Sequence, residues 1–406
     1  MRTLLLVAAC ATVAACAAEL PPRPPEVRAV DDAPALAALR AGQFTEASRV
    51  AAEMLARDPR DPQVAAIHAL AGYVDAGDRL FADLHRVIES ADAVHYFDHE
   101  AGRAIWTRFL GELEAVDRDL AVAAADPKFS LELCIACWGE HDWNHNGRID
   151  DGDRRLFEIE TDAQGERLPD GDPRRRPTFR FDAGDVQWAR AMIAFQRAGA
   201  ELVLAYRWSE LDKLFLGKWR DGDGERIVIH LIDADRVKRA RSDILAGLDF
   251  SAKERQAYLA ETDDDREWVP NPRQTSHPLP LPVDDALYAR WAEILDAAQH
   301  LLASDDGISL REAATLLDRR AALLVPDAYI DLGRMFREPQ DITIDLSSDR
   351  PTPAVGERVA RGLLGHGYVE HMHASPLVGT LHHTIDDVAG GHETFEHKLE
   401  YLFWLN

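Results

Sequence analysis

The sequence has little positive charge for its length. Its 406 residues include 46 lysines and arginines against 71 aspartates and glutamates, which gives a formal net charge of −25. A surface this acidic repels the phosphates of nucleic acids and anionic lipid headgroups. We therefore expect no nucleic-acid partner. Cations are attracted to such a surface, but an acidic surface alone does not make a metal site.

The motifs of several common enzyme classes are missing. The chain has no nucleophile elbow, no P-loop and no glycine-rich dinucleotide fingerprint. It also lacks a zincin motif, because the segment HETFEH separates His392 and His397 by five positions instead of four. Five helical residues turn the two side chains about 140° apart, so they cannot bind one ion from a regular helix.

Long apolar runs are absent beyond the N-terminus. The best one, AMIAFQRAGAELVLAYRW at 191–208, is interrupted by Gln196, Arg197 and Glu201. A helix that crosses a membrane needs about 20 mostly apolar residues. No span is therefore predicted in the body of the protein.

Cysteine is scarce, with four residues, of which Cys10 and Cys16 lie near the N-terminus. The remaining pair, Cys134 and Cys137 in LCIACW, ends a pattern that is typical of a helix. A local disulfide and a reduced, packed pair are both compatible with this pattern, and a catalytic dithiol is a weaker alternative. A zinc site would need two more ligands, and the chain has no second C-x-x-C.

The N-terminus has the layout of a secretory signal peptide, with a cationic Arg2, an apolar run and small residues. Its ending, VAAC, resembles a bacterial lipobox at the end of a signal region of residues 1–16, which implies that Cys16 is lipidated and becomes the mature N-terminus. A plain signal peptide cut near Ala18 is the alternative. Residues 17–32 are rich in proline and form a tether. In lipoproteins of this type, a residue other than aspartate directly after the lipidated cysteine favours the outer membrane, and here that residue is Ala17. We therefore expect an outer-membrane lipoprotein that faces the periplasm or the cell surface.

Residues 38–73 read as helix, turn, helix. The segments RAGQFTEA and LARDP resemble a tetratricopeptide repeat (TPR), with Gly42 allowing close helix approach, Phe44 and Ala47 packing, and Pro59 ending a helix. The resemblance covers about one and a half repeats, so an ordinary helical bundle is an equal alternative. A protein or peptide partner on these helices is one expectation.

The stretch HDWNHNGRIDDGDRR places oxygen-bearing residues at mostly alternate positions around Gly147. It resembles an EF-hand calcium loop that begins at Asp142, with glycine at position 6. The resemblance implies a set of six ligands. They are Asp142, Asn144, Asn146, the backbone carbonyl of Arg148, Asp150 and Asp153.

The loop departs from the usual pattern at three places. Asp153 replaces the closing glutamate, as in dockerin-like loops, while Trp143 and Arg154 stand at positions that usually carry other residue types. The exiting helix would need Leu156, Phe157 and Ile159 for its packing face. We expect weak to moderate Ca²⁺ affinity and a structural pin, because sensors usually pair two loops.

The C-terminal segment 366–406 holds seven of the 16 histidines. His371 and His373 form an H-x-H pair that could share one ion if they lie on a strand, with His382, His383 and nearby aspartates as further candidates. This pair supports the runner-up function, a metal-dependent hydrolase. Hydrogen-bonded or solvated histidines are the simpler interpretation.

The remaining pattern is helical with few strands. Residues 185–215 predict one long amphipathic helix, ERIVIHLID at 225–233 predicts a strand, and SDDGISLREA looks like a shortened EF-hand remnant with Ser309 as helix cap. The predicted regions are a TPR-like part, an EF-hand-like segment, a helical domain, a proline-rich linker, a second helical region and the histidine-rich tail (33–125, 126–160, 161–260, 261–283, 284–365 and 366–406).

Together these features predict a mostly α-helical, exported and lipid-anchored protein that binds calcium in a structural or interaction role. A TPR-type adaptor without a functional metal is a third possibility. The composition identifies no substrate.

Overall fold

The computed structural model describes residues 32–92, 95–162, 166–218, 226–275, 277, 283–317, 322, 325–345 and 353–389. The predicted signal peptide, Cys16 and nearly all of the tether lie outside these ranges, as do His392 and His397. No helix of the described part is long and apolar enough to cross a membrane. The chain divides into Met1–Asp31 and Asp32–Asn406, and only the second unit is described below.

The prediction of a mostly α-helical fold is confirmed. The described helices are α1 Ala33–Arg40, α2 Phe44–Leu55, α3 Pro62–Ser90, α4 His99–Ala124, α5 Asp151–Arg155, α6 Ala183–Ala205, α7 Leu211–Leu216, α8 Ala234–Ala260, α9 Asp285–Ala303, α10 Leu310–Leu317, α11 Leu332–Arg337, α12 Pro353–Leu364 and α13 Leu377–Ala389.

The strands are short and belong to small antiparallel sheets. They are β1 Ser130–Leu133, β2 Phe179–Asp182, β3 Tyr206–Arg207, β4 Arg226–Leu231, β5 Ile308–Ser309, β6 Tyr329–Ile330, β7 Ile342–Asp345 and β8 Tyr368–Val369. The orders are β1-β2, β3-β4-β7 and β5-β6-β8. The strand predicted at 225–233 is β4.

The first two helices follow the sequence pattern closely. Phe44 and Ala47 are buried on α2, and Pro59 lies beyond its end. Gly42 has φ +68°, so glycine suits this turn because it adopts the left-handed region without steric cost. A Cβ at Gly42 would meet only ordinary van der Waals contact, so the turn conformation, rather than close helix approach, explains this glycine.

The main core lies where α6 packs along α8, with α4 against both α3 and α6. Gly247 allows the close approach of α6 and α8, because a Cβ there would lie 2.6 Å from the Phe195 ring. Ala198, Ala240 and Leu248 are buried in the same cluster. Burial of these small and aliphatic side chains supplies the hydrophobic stabilisation of the contact.

The prediction of one long helix over 185–215 is wrong. The helix ends at Ala205, and Tyr206 turns into strand β3, which pairs with Leu231 of β4. The Arg103 guanidinium donates to the Tyr206 carbonyl, and the Trp208 indole donates to the Val203 carbonyl at 2.7 Å. These partners accept or donate the hydrogen bonds that the backbone near Ala205 would otherwise make by continuing the helix. Helical propensity alone does not take such partners into account.

Of two further segments, one differs from the expectation and one agrees with it. Part of the proline-rich segment at 261–283 is buried, from Glu267 to Asn271, so it contributes to the core instead of only connecting helices. In SDDGISLREA, Ser309 Oγ accepts from the Glu312 N–H, which agrees with the predicted cap. Ile308 pairs with Ile330, and both short strands lead into helices.

Candidate functional site

The cysteine pair follows a strand, which corrects the helical interpretation of FSLELCIACW. Residues Ser130–Leu133 form β1, and one 3₁₀ turn begins at Ile135. The alternation of Leu131 and Leu133 toward the interior explains the strand. Cys134 and Cys137 are joined by a disulfide in the structure, which corresponds to the first of the alternatives that the sequence left open.

Replacing both cysteines with serine should lower stability only modestly. The cross-link closes a very short loop, for which the chain-entropy relation gives about 2 kcal/mol. Thermal unfolding of the C134S/C137S variant, compared with the wild type with and without reductant, measures this. A wild type that is indifferent to reductant would contradict a disulfide in the purified protein.

Between Asp142 and Arg148 the loop wraps its side-chain oxygens around a sharp turn. The Asp142 carboxylate accepts from the N–H of Asn146 at 3.1 Å and of Gly147 at 2.8 Å. Asn144 Oδ1 accepts from Asn146 at 3.0 Å, and Asn146 Oδ1 accepts from Arg148 at 2.9 Å. Gly147 has φ +82°, the conformation that the glycine at position 6 was expected to supply.

Asp153 closes the loop from the other end. Its Oδ1 accepts from the N–H of Asn144 at 3.1 Å and its Oδ2 from the N–H of Asp150 at 2.9 Å. The side chain is 2% exposed. The backbone N–H of Asp150 is the main cause that lowers the pKa of Asp153, which keeps this carboxyl ionised. The shorter closing residue thus lies inside the loop and links both of its halves.

The unusual loop residues have partners outside the loop. The Trp143 ring packs edge-on against Phe44, at 5.8 Å, and Phe157, at 5.0 Å. Arg154 Nε lies 3.2 Å from a Glu140 carboxylate oxygen. The exiting helix α5 ends at Arg155, and the next residue, Leu156, is 41% exposed. The prediction that Leu156 belongs to the packing face of this helix is therefore wrong.

The loop also docks on helix α3. His145 has φ +54°, and its ring stacks on Phe81 with centroids 4.4 Å apart. His141 Nε2 and His145 Nδ1 lie 3.1 and 3.6 Å from the same Asp78 oxygen. A left-handed conformation at a histidine costs backbone energy, and these contacts with α3 help to hold it.

The donor set of the loop fits a calcium ion in chemistry, since it consists entirely of carboxylate, amide and carbonyl oxygens. The carboxylates of Asp142, Asp150 and Asp153 do not all lie within 4.8 Å of one another. Asn146 Nδ2 instead donates to Asp150 Oδ2 at 3.2 Å. The loop is therefore folded largely by its own hydrogen bonds.

A cavity of about 420 Å³, here called the central cavity, lies beside this loop. Trp138, Trp143 and Phe157 line it from the loop side, and Trp188 and Trp268 line it elsewhere. Among its lining residues the only ionisable carboxyl is Asp185. Ligand pockets are commonly this large and mostly apolar.

Three carboxylates converge near Asp185. One oxygen of each of Asp182, Glu261 and Glu267, here called the acid cluster, lies within 4.8 Å of the other two. Burial, followed by the charge of Asp182, raises the pKa of Glu261 to about 10. Burial also raises the pKa of Glu267 to about 7. In the described part of the chain no other group of three such ligands is this close.

Sequence reasoning missed the acid cluster, although one signal pointed toward it. Residues 182–185 repeat the Asp-x-Gly-Asp pattern of 150–153. Both segments form the same reciprocal cap, in which the first aspartate accepts from the helix and the second accepts from the N–H of the first. The two glutamates are remote in sequence and carry no motif, so only folding brings them to Asp182.

The histidines of the tail do not form a metal centre among the described residues. His371 and His373 are exposed. His373 Nδ1 lies 3.0 Å from one Asp306 oxygen, and His300 Nε2 lies 3.0 Å from the other. His382 and His383 are on α13, with ring centroids 6.5 Å apart. Hydrogen bonding explains the contacts that the structure shows for His373 and His300.

Comparisons with known proteins give no family for this chain. No protein-family model, no curated protein and no solved structure matches it.

Proposed function

We propose that this protein is an exported calcium-binding protein, anchored by a lipid on Cys16 at the outer membrane, in which loop 142–153 acts as a structural pin. The observation that carries the proposal is the arrangement of Asp142, Asn144 and Asn146, whose oxygens accept successive backbone N–H groups around Gly147. This turn presents oxygen ligands of the type that Ca²⁺ prefers.

The contacts of the loop indicate what the pin would hold. On one side, His145 stacks on Phe81 of α3. On the other, Trp143 lines the central cavity with Phe157. Fixing the loop would therefore fix both its contact with the N-terminal helices and one wall of the central cavity. An interaction role would use that cavity or the TPR-like helices.

Calcium should raise the thermal stability of the mature protein, and Asp142→Ala should remove the gain. Extracellular loops of this kind bind Ca²⁺ with Kd of about 10⁻⁴–10⁻³ M, so about 10 mM Ca²⁺ would add about 1.4–2.7 kcal/mol by mass action. Differential scanning calorimetry with and without Ca²⁺ measures the shift.

Asp151→Ala is the matched control, because Asp151 lies in the same loop at a position without a ligand role and its side chain is 91% exposed. This variant removes the same charge and should keep the calcium response. Equal loss of response in both variants would mean that only general charge attracts the ion. No response in the wild type would refute the pin.

The runner-up function, a metal-dependent hydrolase using His371 and His373, gains no support from the described residues. These histidines do not converge with a carboxylate on one point, and both are exposed. A hydrolytic metal site needs ligands arranged around one ion in a cleft.

A further inference from the structure

The central cavity has a use that the calcium proposal does not supply. Its volume of about 420 Å³ lies within the range of small-molecule sites. Side chains of α3, α4, α6, β1 and β2 line it, so most of its wall belongs to regular secondary structure. Because packed protein interiors rarely leave a space this large, the cavity is a candidate ligand site.

Most of the wall is apolar and much of it is aromatic. The rings of Trp188 and Trp268 lie with centroids 6.3 Å apart, and Phe157 packs edge-on against Trp143 on the loop side. The indole N–H groups of Trp138 and Trp143 both donate to backbone carbonyls, so these two rings offer the cavity apolar surface. Aromatic walls favour a ligand that itself carries a ring system, through stacked or edge-on contacts.

One pair of polar side chains interrupts the apolar wall. Gln196 on α6 donates its Nε2–H to the Tyr73 hydroxyl oxygen on α3 at 2.8 Å, and both residues line the cavity. This bond leaves the Tyr73 hydroxyl proton and the Gln196 amide oxygen without a hydrogen bond to any other described residue. A phenol can donate while it accepts, and an amide oxygen can accept, so a ligand hydroxyl or carbonyl group can bind to this pair.

The charges around the cavity select against ionised ligands. No lysine, arginine or histidine is among the described residues that line it, so an anion would lose its water without gaining a counter-charge. Both oxygens of Asp185 already accept hydrogen bonds, from the Tyr258 hydroxyl and from the N–H of Asp182, each at 2.8 Å. Burial raises the pKa of Asp185 well above its usual range, which favours its neutral form and leaves little attraction for a cation.

We propose that the central cavity binds an uncharged, mostly apolar small molecule that carries a ring system and one hydroxyl or carbonyl group. The aromatic wall contacts the ring system, and Tyr73 and Gln196 hydrogen-bond the polar group. This arrangement, with an apolar wall and a few placed polar groups, is the usual one for small-molecule sites. The site goes beyond the proposed calcium loop and does not require an ion in it.

Equilibrium dialysis of the mature protein against three probes tests the site. Naphthalene, naphthol and naphthoate share one ring system and carry no polar group, a neutral hydroxyl and a carboxylate, respectively. One naphthol should bind per chain, about 2–10-fold more tightly than naphthalene, which corresponds to the net contribution of one hydrogen bond. Naphthoate should bind at least about tenfold more weakly than naphthol, because its charge would be desolvated without a partner.

Two kinds of variant locate the binding. Tyr73→Phe combined with Gln196→Leu removes the polar pair and should make naphthol and naphthalene bind equally. Ala189→Phe and Met192→Trp, tested separately, each enlarge a side chain of the α6 wall and should abolish binding of both probes. Circular dichroism checks that each variant is folded.

Phe215→Ser is the control, because it removes an aromatic side chain that is 65% exposed and does not line the cavity. It should leave every affinity unchanged. Loss of binding in this variant, or binding that survives the cavity-filling substitutions, would place the probes on the surface and overturn the site. Naphthoate that binds as tightly as naphthol would overturn the uncharged ligand, and a preference for naphthol that survives loss of the polar pair would overturn the role of Tyr73 and Gln196. All dialyses contain a chelator of divalent ions, so failure of every probe to bind the wild type would overturn this site without affecting the calcium loop.

Discussion

Trp138→Ala is expected to lose about 3–5 kcal/mol of unfolding free energy, as large aromatic truncations in a core usually do. The side chain is 5% exposed, and its indole N–H donates to the Leu39 carbonyl at 2.9 Å. Its ring packs edge-on against Phe44 with centroids 5.2 Å apart. The truncation would therefore enlarge the central cavity and leave the Leu39 carbonyl without this donor.

Urea unfolding followed by circular dichroism measures the loss. Trp138→Phe is the informative control, because it keeps an aromatic ring against Phe44 and removes the indole donor. We expect it to lose about 0.5–1.5 kcal/mol, the net contribution of one hydrogen bond, because the Leu39 carbonyl still accepts from the Gly42 N–H at 2.9 Å. A loss below about 1 kcal/mol in Trp138→Ala would show that this ring does not join the N-terminal helices to the loop segment.

Gly184→Ala is expected to destabilise the protein by about 1–3 kcal/mol through overpacking. A Cβ at this position would lie 2.6 Å from Cε1 of Tyr258, a ring that is 1% exposed. Tyr258 also donates to Asp185, so displacement of the ring would disturb the neighbourhood of the acid cluster. Thermal unfolding in the absence of divalent ions measures the stability effect alone.

Gly152→Ala is the matched control, since Gly152 holds the same place in the first Asp-x-Gly-Asp segment. A Cβ there would meet only the Asp150 carboxylate, at 3.0 Å, which is an exposed side chain. This variant should change stability much less. If the two alanine variants were equally stable, crowding by Tyr258 would not explain the glycine at 184.

Loop 142–153 and the acid cluster flank the central cavity. Trp143 and Phe157 belong to the loop side of its lining, and Asp185 belongs to the side of the acid cluster. Strands β1 and β2 connect these regions, because β1 leads to the cysteine pair and the loop while β2 ends at Asp182. Occupation of the loop by calcium would therefore stabilise one wall of this cavity.

Local patterns in the sequence determined a large part of this protein. Helical periodicity predicted the mostly α fold, Pro59 predicted the end of α2, and alternating oxygen-bearing residues predicted the turn at Gly147. These features depend on residues within a few positions of one another. Backbone sterics and neighbouring side chains are therefore sufficient to specify them.

Other features of the fold depend on contacts between residues that are remote in sequence, and only the tertiary structure shows them. Tyr206 lies in a strand and not in the helix because it pairs with Leu231 of β4. Leu131 and Leu133 lie in a strand because they pair with residues of β2. Glu261 and Glu267 reached Asp182 through the packing of α8 along α6. Periodicity could not predict these outcomes, because hydrogen-bond partners and electrostatic neighbours remote in sequence exist only after the chain has folded.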